Sequence, residues 1–174
     1  TRDNILANMI FFFFSAAAYF SITNISNKKK LAIQLAESFL FQDSAKFMGW
    51  KIGNNGFEMM LSSELPKIIL NSAAPRAKEI LVQKGIDISA IKHWALHPGG
   101  RAILDSLQNG LELSDEQLKP SREVLRNFGN LSSVSILFVL KNLLENVELK
   151  KDDYLCAIAF GPGLTMELVL FKVV

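Results

Sequence analysis

The first apolar stretch, Met9 to Ile22 (MIFFFFSAAAYFSI), runs 14 residues without a charge. A membrane-spanning helix needs about 20 apolar residues, so this stretch predicts a buried strand or core segment instead. Asn24 to Lys30 (NISNKKK) is polar and reads as a surface turn whose lysines face solvent. Leu31 to Phe41 mixes apolar and polar positions in a way that fits either a strand or a helix. Met48 to Leu61 carries Gly49, Gly53 and Gly56 around Asn54-Asn55, which predicts two short strands joined by a turn.

Helical spacing follows. Ser62 or Ser63 can accept the free backbone N–H groups of a first helical turn, and Pro66 near the first helical position costs no hydrogen bond. The pattern continues to about Lys84, with a kink or restart at Pro75, and stops at Gly85. Ile91 to Leu96 reads as a short strand that runs into His97-Pro98-Gly99-Gly100 and then a helix from about Arg101 to Gln108. Ser114 to Gln117 reads as a turn or short helix, with Pro120 starting a helix that ends near Phe128. Gly129-Asn130 breaks the chain, and Ser132 or Ser133 opens an apolar helix to about Glu145. Tyr154 to Phe160 and Thr165 to Val174 read as strands joined by the tight turn Gly161-Pro162-Gly163. Mixed elements ending in a hairpin predict a layered α/β domain.

Composition narrows this picture. At 174 residues and 49% hydrophobic, the chain can bury a sizeable core and is not of disordered type. A single Cys excludes an internal disulfide and a zinc site built on several thiolates. Nineteen Lys and Arg against seventeen Asp and Glu give a net charge of +2. So weak a field gives no case for nucleic-acid binding. Arg2 followed by Asp3 makes a poor basic leader, and with one thiol a cytoplasmic, membrane-free setting is the expectation.

Three stretches place special residues at the ends of apolar elements. Trp94 to Gly100 (WALHPGG) holds His97 on a stiff turn, where the glycines allow close approach of a ligand or another backbone. Phe128 to Ser133 (FGNLSS) puts Asn130 at a helix start with its free N–H groups. Ala159 to Leu164 (AFGPGL) joins two strands. Singly, each also has a structural reading: a His fixed in a turn, a break and cap, an ordinary hairpin. His93 reads as a surface residue ahead of the strand, and Cys156 as a small core residue.

Together and in this order, HPGG, GNLSS and AFGPGL before a C-terminal strand resemble the C-terminal half of the type III polyketide synthases, the chalcone and stilbene synthase family. Asp3 to Asn8 is similar to the segment that precedes the family's C-terminal domain, and Gly56 to Pro66 (GFEMMLSSELP) resembles a strand and helix start that line its active site. The resemblance takes in residues 1–174 as one such domain. It implies an α/β, thiolase-like fold whose two αβαβα halves surround stacked sheets. It also implies an acyltransferase with a Cys-His-Asn triad. The Cys attacks an acyl-CoA and carries the chain as a thioester, with His97 favouring its thiolate. His97 and Asn130, 33 residues apart as the family pattern expects, would then donate to the thioester oxygen of malonyl-CoA as carbon dioxide leaves.

Other positions follow from the same resemblance. Ala102 matches a residue beside the pantetheine arm of CoA, Ser132 a serine beside the triad, and Gly161, Pro162 and Gly163 the loop that shapes the cavity. Met59 falls where plant members have a gatekeeper Phe, and a flexible Met there would change pocket shape. CoA thioesters are substrates, and neither a cofactor nor a metal is implied. The expected partners are the half that carries the nucleophilic Cys, absent from this chain, and a second copy in the homodimeric full-length enzyme. Phe13-Phe14-Ser15 departs from the family's usual Gly-Asp-Gly. Without the nucleophile, the chain alone is expected to be inactive in condensation. Two other classes fit: a non-catalytic remnant or pairing module of a thiolase-fold protein, and a ketoacyl-carrier-protein synthase III-like condensing enzyme. The latter family usually follows its His with Gln-Ala-Asn, so HPGG favours the polyketide branch.

Overall fold

Strand pairing organises the chain around one mixed sheet of four strands. In the computed structural model, the structure describes residues 30–54 and 56–174, with Ala16 and Ala18. The expectations for Asp3 to Asn8, for the Met9 to Ile22 stretch with its Phe13-Phe14-Ser15, and for the turn before Lys30 lie outside the described residues. β1 (Leu31–Leu40) settles the open choice between strand and helix. β2 (Met48–Gly53) and β3 (Gly56–Leu61) form the expected hairpin, a separate two-stranded sheet. β4 (Ile91–Leu96), β5 (Tyr154–Gly161) and β6 (Thr165–Val173) complete the main sheet, in the order β1-β6-β5-β4. β4 and β5 run parallel, whereas β6 is antiparallel to both β5 and β1.

A parallel pair needs a long crossover, and helices supply it. α1 (Leu65–Ile68) begins after Ser62, whose hydroxyl accepts the Glu64 N–H at 3.1 Å. A π-helical turn (Ile69–Ala73) separates α1 from α2 (Ala74–Gln83). The wide turn falls just before Pro75, which lacks the N–H that a regular ladder would need there. α3 (Arg101–Leu111), α4 (Asp115–Phe128) and α5 (Val134–Asn146) fill the interval between β4 and β5.

α4 corrects two expectations. Its start is Ser114, which forms a capping box with Gln117, so Ser114 to Gln117 is the first turn of the helix. Pro120 lies inside α4 rather than at its start. The N–H it lacks would have met the Glu116 carbonyl in an exposed turn that water can reach, while the proline ring is buried. His93 is also corrected. It lies within β4, its side chain is only 13% exposed, and its Nε2 is 3.1 Å from Asp153 Oδ2. The register shift between Ile91 and His93 accompanies that inward turn.

Side chains alternate across the sheet and build a core on each face. Trp94, Leu96, Cys156, Ile158, Leu168 and Leu170 pack with α1, the π-turn, α2 and α3. Ala95, Leu155, Ala157 and Phe171 pack with Val124 of α4 and with Val139 and Leu143 of α5. Helices thus cover both faces, as a buried parallel pair requires. Trp94 is fully buried and donates from Nε1 to the Ile91 carbonyl at 3.2 Å. Trp50, on the hairpin, is half exposed and meets Phe57 edge to face at 6.5 Å. Among the described residues, no helix is long and apolar enough to cross a membrane.

Candidate active site

His97 is set by the sheet. Its N–H donates to the Ile158 carbonyl at 2.9 Å, extending the β4–β5 ladder one residue past β4. The Gly99 N–H turns back onto the His97 carbonyl at 2.9 Å, and Gly100 caps α3. The imidazole therefore sits at the carboxyl end of a parallel strand, where open α/β sheets commonly form their sites. His97 is 8% exposed, and burial lowers its pKa from 6.5 to about 4. At neutral pH the ring is uncharged, with one N–H and one bare nitrogen.

Asn130 comes from the break between α4 and α5. Gly129, at φ 72°, ends α4, and Ser132 holds a left-handed φ of 56°. The Asn130 Oδ1 accepts the Ser132 N–H at 2.9 Å, which anchors that strained backbone, and its Nδ2 donates to the Gly99 carbonyl at 3.1 Å. Asn130 is 7% exposed. Gly99 thus joins the two expected residues: a Cβ built on it would lie 3.5 Å from His97 Cδ2 and 3.8 Å from Nε2. Among the described residues the second Nδ2 hydrogen of Asn130 meets no acceptor, so a donor remains free beside the histidine turn.

The remaining expected residues divide into two groups. Ser132 is exposed and touches Asn130 through its backbone, and Ala102 is exposed on the first turn of α3, just after Gly100. Gly161, Pro162 and Gly163 lie at the carboxyl end of β5, the same end of the sheet as His97. Gly163 and its neighbour Leu164 are held by three hydrogen bonds, two of them to Gly163. Its N–H donates to Met48 at 2.7 Å, its carbonyl accepts Ser44 Oγ at 2.7 Å, and the next carbonyl, of Leu164, accepts the Phe41 N–H at 3.1 Å. Those bonds tie the root of the β2–β3 hairpin to the turn. Met59, paired with Trp50, is half-buried on that hairpin. No hydrogen bond among the described residues joins this second group to His97 or Asn130.

Other chemistry lies elsewhere. Cys156 is fully buried in the core, and desolvation pushes its thiol well above its ordinary value. An open depression of about 470 Å3 lies at the opposite end of β4, against Lys92, His93, Glu116 and Asn142, and includes neither His97 nor Asn130. Among the described residues, no group of three or more His, Cys, Asp or Glu could hold a metal ion. Neither the bond from Asn130 to the Gly99 carbonyl nor the contact of the buried Ser135 hydroxyl with Asn130 has a signal in the sequence.

Comparison with known proteins adds to this geometry. Residues 32–174 match the family described as chalcone and stilbene synthases, C-terminal domain. Over 146 residues the chain is 36% identical to an alpha-pyrone synthesis polyketide synthase-like protein of Mycobacterium tuberculosis, covering 83% of this chain and 37% of that protein. It is 32% identical to a putative chalcone synthase of Bacillus subtilis, covering 84% and 40%. Among solved structures, 1,3,6,8-tetrahydroxynaphthalene synthase from Streptomyces coelicolor, a bacterial type III polyketide synthase, superposes with a TM-score of 0.76 at 27% identity, covering 82% and 40%. A polyketide synthase of the brown alga Ectocarpus siliculosus superposes at 0.75 with 31% identity, covering 83% and 40%. The chain therefore spans about two fifths of the length of these relatives. The fold it shares with them is α/β and thiolase-like.

Proposed function

Because this chain belongs to the chalcone and stilbene synthase family through its C-terminal domain, we propose that it supplies the His-Asn pair of a type III polyketide synthase, an acyltransferase. The convergence of His97 and Asn130 on Gly99 carries the reading. In the proposed reaction, the thioester carbonyl of malonyl-CoA lies between the two side chains. His97, neutral at working pH, donates its ring N–H, and Asn130 donates its free amide hydrogen. As carbon dioxide leaves, the electron pair of the broken carbon–carbon bond forms an enolate, and negative charge grows on the thioester oxygen. Removing one donor aimed at such an oxygen costs about 3–4 kcal/mol of transition-state stabilisation. The enolate carbon then attacks the carbonyl carbon of an acyl group held on a Cys thioester, and as the new carbon–carbon bond forms the acyl carbon–sulfur bond breaks and the Cys leaves as its thiolate. Ala102, Ser132, Met59 and the Gly161-Pro162-Gly163 turn bound the acyl and pantetheine path.

The attacking thiol comes from elsewhere in this reading. Cys156, the one thiol of the chain, is sealed in the core and held in its protonated form. The partner is then a half carrying the nucleophile, within a homodimeric enzyme of the cytoplasm that needs no cofactor beyond its CoA substrates. The buried Cys156 equally supports a second reading, a pairing module that stabilises a thiolase-fold partner without turnover. Incubating the chain with an acyl-CoA starter and malonyl-CoA separates the possibilities. The expected result is no polyketide by mass spectrometry, with slow release of carbon dioxide from malonyl-CoA that His97→Ala abolishes. A polyketide product would refute the assignment of the nucleophile to another half. Release of carbon dioxide that survives His97→Ala would refute the site.

A further inference from the structure

Three groups fix the Asn130 carboxamide, and one of them is a side chain of α5. Ser135 is fully buried. Its Oγ accepts the Leu131 N–H at 2.7 Å, which leaves its own hydrogen to be placed. Among the described residues, the acceptor within its reach is Asn130 Oδ1, at 3.5 Å. That oxygen already accepts the Ser132 N–H, and the amide nitrogen already faces the Gly99 carbonyl. Turning the carboxamide over would set its NH2 against the Ser132 N–H and its oxygen against the Gly99 carbonyl, and would leave the buried Ser135 hydroxyl hydrogen without an acceptor among the described residues. We propose that Ser135 is a positioning residue for Asn130, its buried hydroxyl fixing which way the carboxamide points and so keeping one amide hydrogen free for substrate.

The orientation matters for chemistry through the donor role of Asn130 proposed above. Ser135 itself touches no reacting atom. Its hydroxyl bridges the Leu131 backbone and the Asn130 side chain, so one group holds both the helix entry and the amide. A neutral hydrogen bond of this kind corresponds to about a two- to tenfold effect on an equilibrium.

The experiment uses the chain labelled with 15N-asparagine, with the Asn130 side-chain resonance assigned by its loss in Asn130→Asp. Ser135→Ala is expected to shift that resonance and to speed exchange of its amide hydrogens about two- to tenfold. Ser135→Thr, which keeps the hydroxyl, is expected to restore both. If Ser135→Ala does not fold, Ser135→Cys takes its place, with a weaker donor of similar size and a shift in the same direction. An Asn130 resonance and exchange rate that stay unchanged in the folded Ala or Cys variant overturn the proposal, even if the melting temperature falls. Malonyl-CoA decarboxylation supplies the second readout, with kcat falling about two- to tenfold and KM unchanged. A shifted resonance with an unchanged rate upholds the positioning of Asn130 and removes its proposed donor role.

Discussion

The amide nitrogen of Asn130 lies 3.1 Å from the carbonyl oxygen of Gly99. That bond joins two turns separated by two helices, and the same glycine faces the His97 ring. Gly99 is not in a left-handed conformation, and a methyl group there would make only ordinary contacts, 3.5 Å from His97 Cδ2 and 3.8 Å from Nε2. Gly99→Ala should therefore fold with stability unchanged or raised by up to about 1 kcal/mol. That methyl would take up space beside the histidine nitrogen where the thioester oxygen is proposed to lie, so malonyl-CoA decarboxylation should fall at least about tenfold. Melting curves and turnover on the same sample test this. An active, equally stable variant would place substrate away from that edge of the ring.

Gly110→Ala should behave in the opposite way. A Cβ at Gly110 would stand 2.4 Å from the Ala74 Cβ, where α3 crosses the start of α2, and neither backbone can yield cheaply. Overpacking of this kind costs about 1–3 kcal/mol. Urea denaturation should show that loss.

Acid should weaken the fold in two windows. Above pH 6.5 the His97 imidazole is neutral in both the folded and unfolded chain. Between 6.5 and about 4 the unfolded chain binds a proton that the buried ring refuses, so stability falls as pH falls. The loss is about 1.4 kcal/mol per pH unit and about 3 kcal/mol across the window. Below it, Asp153 contributes. The Lys92 ammonium, bonded at 2.6 Å, holds its carboxyl below the usual 3.8, so protonation of the unfolded chain removes further stability as pH drops under that value. Urea midpoints at pH 7.5, 5.5 and 4.5 should decline in the wild-type chain and stay nearly level in His97→Gln. Parallel declines in both would mean that His97 is not the group responsible.

Cys156 should be silent in the native state. Its sulfur is inaccessible and desolvation disfavours the thiolate. At pH 8 a thiol reagent should label the folded chain no faster than the chain unfolds, and label it at once in denaturant. Rapid native labelling would contradict the buried placement.

Much of this architecture was legible because the decisive residues act locally. The apolar run Ile91 to Leu96, the glycines after His97 and the turn at Gly161-Pro162-Gly163 each dictate their own backbone, and each element is where the pattern put it. Pro120 misled because proline usually opens a helix. Here Ser114 and Gln117, spaced as a capping box, opened it one turn earlier, and that spacing was readable. His93 misled because its partner, Asp153, is 60 residues away and meets it only through the sheet. The same holds at the candidate site. His97 and Asn130 stood out by motif, but their meeting at Gly99 and the hydroxyl of Ser135 behind them depend on how α4 and α5 pack against β4.

The placement of the two tryptophans gives the molecule a pair of optical probes. Trp94, sealed beneath the helices, should emit in the blue and resist acrylamide, while Trp50 on the hairpin should emit further to the red and be quenched. Docking of a partner against the hairpin would shield the second signal and leave the first untouched. Loss of the main core would move the first. One emission spectrum can thus tell assembly from unfolding without any added label.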